Sequence, residues 1–198
     1  MFVLTVDQRG SRHAPDRVPG LLAGLPTVPG LVRSAERTVG DEVQAVLDDA
    51  DGTVELVLHL MRLGEWSVGI GAGPVDEPLP ASTREARGEA FVLARSAVDA
   101  AKSRNRPVPL AVRGADPVAA GDAEALLTLV GAVLARRTPA GWRAVDESRL
   151  AGDGGQVAVA ARLGITQQAV SERLRTALWA EEMAVRPAAA RLLTAAAS

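Results

Sequence analysis

The chain has 198 residues, a formal net charge of −2 and no cysteine, which excludes disulfides, thiolate zinc sites and cysteine nucleophiles. Its length suffices to bury a core without such staples and accommodates a medium domain followed by a smaller one. The slight acidic excess denies it the overall basic character usual for nucleic-acid proteins, so any such binding must rest on a local patch.

Met1 to Asp7 is a short apolar run with no basic residue before it, which predicts a strand rather than a signal peptide or a membrane span. With the absent cysteines, this suits a cytoplasmic protein that makes no membrane contact. Gln8 to Pro15 reads as a loop, and Asp16 to Leu25 has helical apolar spacing despite Pro19 and Gly20. Leu31 to Val39 and Val43 to Leu47 are strand-like runs flanking Gly40-Asp41, a hairpin with an acidic tip. Val54 to Leu63 is helical, Trp66 to Ala72 a strand, Ser82 to Ala101 a long amphipathic helix and Pro107 to Val112 a further strand.

This order predicts an α+β fold for residues 1–113, with helices on one face of a mainly antiparallel sheet. Gly114 to Ala120 reads as a hinge. Residues 114–198 then form an all-α domain with helices over Asp122 to Arg136, Ala177 to Met183 and Pro187 to Ala197. Thr138 to Val145 has room for a short extended piece.

Residues 156–175 read as a helix, a glycine turn and a second helix, the layout of a DNA-reading helix-turn-helix. Val159, Leu163, Ile165, Val170 and Leu174 supply a buried face, Gly164 permits a left-handed turn, and Thr166 caps the second helix. Thr166, Gln167, Gln168, Ser171, Glu172, Arg173 and Arg175 are the expected contacts to double-stranded DNA, since amides, hydroxyls and guanidiniums suit base edges and phosphates. The bland alternative is a helical hairpin whose polar face is merely solvated. Pairing into a homodimer is expected because two-fold symmetry matches palindromic sites.

A second constellation joins Asp7 and the following Gly10-Ser11-Arg12 to Arg37 and Gly40-Asp41-Glu42. Antiparallel neighbours would bring Asp7 and Asp41 together, and a hard divalent cation beside a phosphate is the usual compensation for such a pair. These residues resemble the class III nucleotidyl cyclase fold, which ends its first strand on one aspartate and carries a second after glycine in a hairpin. Ser67 to Val75 is similar to the cyclase strand, and Gly88 to Arg95 is similar to the following helix. The resemblance implies a cyclase/palm-like (ferredoxin-like) α/β sandwich. It also implies Mg²⁺ or Mn²⁺ on Asp7 and Asp41, with a nucleotide near Gly10, Ser11, Arg37 and Arg95. Arg37 stands where cyclases have a base-selecting lysine and Phe91 where they have an asparagine, which weighs against efficient turnover. A sensory or dimerisation role for the sandwich is therefore preferred to the alternative, a divergent metal-dependent cyclase or phosphoryl-transfer enzyme.

The chain is also similar to the SatD family in Asp7 with Ser11-Arg12, in Gly40-Asp41-Glu42-Val43-Gln44 and in Gly69-Ile70-Gly71. That family commonly ends in a helix-turn-helix, so the resemblance implies a DNA-binding transcriptional regulator.

Overall fold

Alternation along β1 (Phe2–Gln8) sends Phe2, Leu4 and Val6 to one side of the strand and Val3, Thr5 and Asp7 to the other. Both sides are covered, because the strand lies at the centre of a five-stranded sheet packed between helices. The structure is a computed structural model describing residues 1–198, with the side chain of Asp153 outside the description. After β1 come α1 (Val18–Gly24), β2 (Leu31–Arg37), β3 (Glu42–Leu47), α2 (Ala50–Leu63), β4 (Trp66–Ala72), α3 (Glu89–Ala101) and β5 (Leu110–Gly114). The remainder is α4 (Pro117–Arg136), α5 (Pro139–Ala151), a 3₁₀ turn (Gly152–Gly154), α6 (Gly155–Leu163), α7 (Gln167–Thr176) and α8 (Trp179–Ala196). The fold is α+β: the strands run in the order β2-β3-β1-β4-β5, antiparallel except for the parallel pair β4-β5.

The main core sits on the side of Phe2, Leu4 and Val6, with Trp66, Val68 and Ile70 from β4 and Leu56 and Leu60 from α2. Helices do not keep to this side alone, as the sequence suggested. α3 packs on the opposite face, where Ala90, Ala94, Ala97 and Ala101 are buried against Val3, Val46 and Ala111. An alanine stripe gives a weak hydropathic signal, yet it permits a close approach. A Cβ added at Gly69 or Gly71 would meet the α3 backbone at Ala94, Val98 and Ala90.

α3 is also shorter than expected, starting at Glu89 rather than Ser82. The preceding segment is held by the β2 edge. Glu36 accepts hydrogen bonds from Ser82 Oγ and Thr83 Oγ1, each at 2.8 Å, and Arg33 donates to the Leu79 and Pro80 carbonyls. Gly88, at φ 125°, then turns the chain into the helix.

The expected hinge at 114–120 is instead a tight strand-to-helix junction. Asp116 caps α4, its carboxylate accepting from the N–H groups of Val118 and Ala119, and Pro117 takes the first helical position, where no N–H is needed. Thr138 and Pro139 start α5 in the same way, so beyond the cap residue the stretch expected to be extended, 139–145, is helical. α8 runs unbroken through Pro187, its Ala189, Leu193 and Ala196 packed into the core.

That packing bears on domain organisation, because α4 and α8 belong to the sheet's own core through Leu127, Leu134 and Leu193. The boundary drawn at residue 113 is thus not a break in the core. Of the helices after β5, α5 to α7 carry a cluster apart from that core, of Val159, Ala160 and Val170 with Leu163, Ile165 and Leu174 around it. α4 is long and apolar enough to cross a membrane by length and composition, and its Ala123, Leu127 and Leu134 are buried against the body.

Candidate functional site

The carboxylates singled out in the sequence lie on the α3 face, where the strands present polar side chains. Asp7 is across from Glu42 on β3, and Asp41 falls one residue beyond the ladder, in the hairpin turn. Each of the facing carboxylates has its own cation from α3 or its C-terminal end. Lys102 Nζ is 2.8 Å from Asp7 and 3.5 Å from Asp99, while Arg95 holds the buried Glu42 at 2.7 Å. Burial disfavours the Lys102 ammonium, but hydrogen bonding to Asp7 and the charges of Asp7 and Asp99 outweigh this and raise its pKa. Thr38 Oγ1 completes the Glu42 site, donating at 2.6 Å. The Asp41 Oδ2 atom is buried with no hydrogen-bond partner among the described residues. Those residues include no group of three or more His, Asp or Glu side chains arranged to hold a metal.

Gly10 and Ser11 line a cleft of about 600 Å³ at the end of β1, together with Asp7 and Lys102. Arg37 and Arg95 are not in its wall. Arg37 donates to Asp16 at 2.5 and 2.6 Å on the β2 edge, and Phe91 packs beside the cluster of Val3, Val46 and Ala94. The remaining wall comes from the loop after β1, Arg9 to His13, and the segment after α3, Ser103 to Arg106. From sequence this second segment falls outside the site, and Glu42 is named in the hairpin while the metal role goes to Asp41. One signal was present: Lys102 is the single lysine among 22 basic residues, in a chain that otherwise uses arginine.

Arg106 is tied back by Glu124 on α4, which it meets at 2.7 Å; Arg113 meets the same carboxylate at 3.0 Å. Burial raises the Glu124 pKa, but the Val112 N–H and the two guanidiniums more than offset this and hold it below its ordinary 4.5. A depressed carboxylate contributes stability above its unfolded pKa that is lost as pH falls through the folded one. Wild type should therefore exceed Glu124→Gln in stability at pH 6, and the gap should close on acidification below about 4.5 in parallel urea titrations.

The pair α6–α7 is built by local rules. Gly164, left-handed at φ 63°, lets the Ile165 N–H reach the Ala160 carbonyl and the Gly164 N–H reach Ala161, which closes α6. Thr166 caps α7 by accepting from the Ala169 N–H at 3.2 Å. Val170 is the one buried residue of α7. Gln167, Gln168, Ser171, Glu172 and Arg175 share its exposed face, with Arg173 half-buried at the edge. The side chains of Gln167, Gln168, Ser171 and Arg173 have no hydrogen-bond partner among the described residues, whereas Glu172 grips Arg175 through contacts of 2.7 to 3.1 Å. Residues 139–177 hold five arginines against four carboxylates, so this unit is +1 where the whole chain is −2. No protein-family model, curated protein or solved structure matches this chain.

Proposed function

We propose that the protein is a DNA-binding transcriptional regulator, acting as a homodimer, in which α6 and α7 form a helix-turn-helix and α7 enters the major groove. The observation that carries this reading is the exposed face of α7, whose first turns offer Gln167, Gln168 and Ser171 unengaged within the chain. Base edges are met by the N-terminal residues of a recognition helix, and unpaired amides there suit adenine. The strand order β4-β1-β3-β2 within the sheet, built from β-α-β-β-α-β, supports a cyclase/palm-like sandwich as the body. With Asp7 and Glu42 held by Lys102 and Arg95, that body suits sensing or pairing better than turnover.

Selection of duplexes from a random pool, followed by anisotropy titration, tests the reading. An enriched sequence should emerge, and Gln168→Ala with Arg173→Ala should weaken it at least about tenfold. Glu172→Gln should release Arg175 and tighten binding to any duplex while steepening its salt dependence. No enriched sequence, or a double variant that binds as wild type does, would sink the proposal.

A further inference from the structure

The cleft at the end of β1 has a charge that the rest of the chain does not share. Its wall holds Arg9, Arg12, Lys102, Arg104 and Arg106 against one carboxylate, Asp7, in a chain with 24 acidic and 22 basic side chains. Three of these cations are engaged within the protein: Lys102 with Asp7, Arg106 with Glu124, and Arg9 with the Gly64 carbonyl. Arg12 and Arg104 are exposed, come from two different segments that both line the cleft, and have no ion pair or side-chain hydrogen bond among the described residues.

Like charges gathered around a concavity repel one another unless an anion enters, and guanidiniums from two segments suit a ligand with more than one anionic group. The volume of about 600 Å³ is that of a small-molecule site. Hydroxyls of Ser11, Ser67 and Ser103 add donors. The wall has no Phe or Trp, its apolar share rests on Ala101 and Pro109, and His13 is its one aromatic ring, so an apolar ring system finds little cover there beside the five cations. Recognition by charge is what remains.

We infer that this cleft binds a small molecule carrying two or more phosphate groups, gripped between Arg12 on the β1–α1 loop and Arg104 after α3. The inference does not rest on the DNA reading, since the two sites share no residue. Tripolyphosphate is the direct probe, measured by calorimetry on the full chain against orthophosphate and citrate. Tripolyphosphate should bind at least tenfold more tightly than either. The double variant Arg12→Ala, Arg104→Ala should lose at least tenfold of that affinity with an unchanged circular dichroism spectrum, and Arg143→Ala on α5 should lose none. Because Arg12 and Arg104 are exposed and unpaired, the double variant is expected to fold; should it not, Arg12→Gln alone, losing at least threefold, carries the same test. Equal affinity for citrate would overturn the phosphate assignment. Undiminished binding in the cleft variants, or an equal loss in Arg143→Ala, would overturn the site.

Discussion

Arg137→Ala should lower stability by about 3 kcal/mol, the low end for breaking a buried ion pair, because Glu182 loses its fully buried partner but keeps Arg186. Arg137 has no exposed side-chain surface, and it donates to the Ala177 carbonyl at 2.8 and 3.1 Å and to Glu182 at 2.7 Å. Glu182, 2% exposed at its side chain, is also held by Arg186 at 2.6 Å and approached by Arg149 at 3.7 Å. Trp142 roofs the group, with Arg137 4.4 Å and Arg62 4.1 Å from its ring centre. Arg137 Nη1 and Arg186 Nε still lack partners among the described residues, so the network is held at a cost. That predicts non-additivity. The double variant Arg137→Met, Glu182→Leu should be less destabilised in urea than the sum of the two single changes, because it removes both members of the most buried pair together. A double variant equal to the sum of the singles would show that the two side chains act independently. Ala177 is the C-cap of α7, so Arg137→Ala should also weaken DNA binding without touching the exposed face of α7.

Gly71→Val should cost at least about 3 kcal/mol, and Gly69→Val a similar amount. The added groups would meet carbonyl and amide atoms of α3, which cannot swing aside as a side chain could. α3 would have to lift off the sheet, carrying Arg95 away from Glu42 and exposing Asp7 and Glu42 to each other without their cations. Gly121→Ala on α4 is the contrasting case. A Cβ there meets nothing within 4 Å, and helix propensity alone should stabilise by about 0.4 to 1 kcal/mol. Thermal unfolding of the three variants would separate steric exclusion at the α3 contact from a general intolerance of glycine replacement.

The same contact shows where sequence patterns carry information. Trp66 to Ala72 and Leu31 to Leu47 were legible as strands because branched apolar residues alternate or cluster between turn residues. The α6–α7 turn was legible because Gly164 and Thr166 each have one dominant local use. The placement of α3 was not, since glycine on one element and alanine on the other bury little apolar area, and the fit depends on both at once. Gly114 and Pro117 were weighed as breakers, although Asp116 before a proline is a helix start. At the candidate site, Asp7 and the Gly10-Ser11 loop could be found from sequence, but the neighbour of Asp7 could not. A shift of one residue in the hairpin register decides between Asp41 and Glu42. The cations that meet these carboxylates come from 53 residues beyond Glu42 in one case and from the far end of α3 in the other, separations that no local pattern encodes.

The bond from Arg137 to the Ala177 carbonyl has a topological consequence. A single side chain spans from the first residue after α4 to the first after α7, so the chain leaves the body and re-enters it at neighbouring points. Residues 139–176 are in effect a cassette, inserted between α4 and α8 with almost no distance to bridge. Excising them behind a short glycine linker would take only Trp142 from the edge of the main core, whereas truncation before α8 would strip Leu193 and Ala196 from its interior. Apart from the joint where Trp142, Asp146 and Arg149 meet Arg62, Arg137, Trp179 and Glu182, the cassette and the body are free to change in sequence separately.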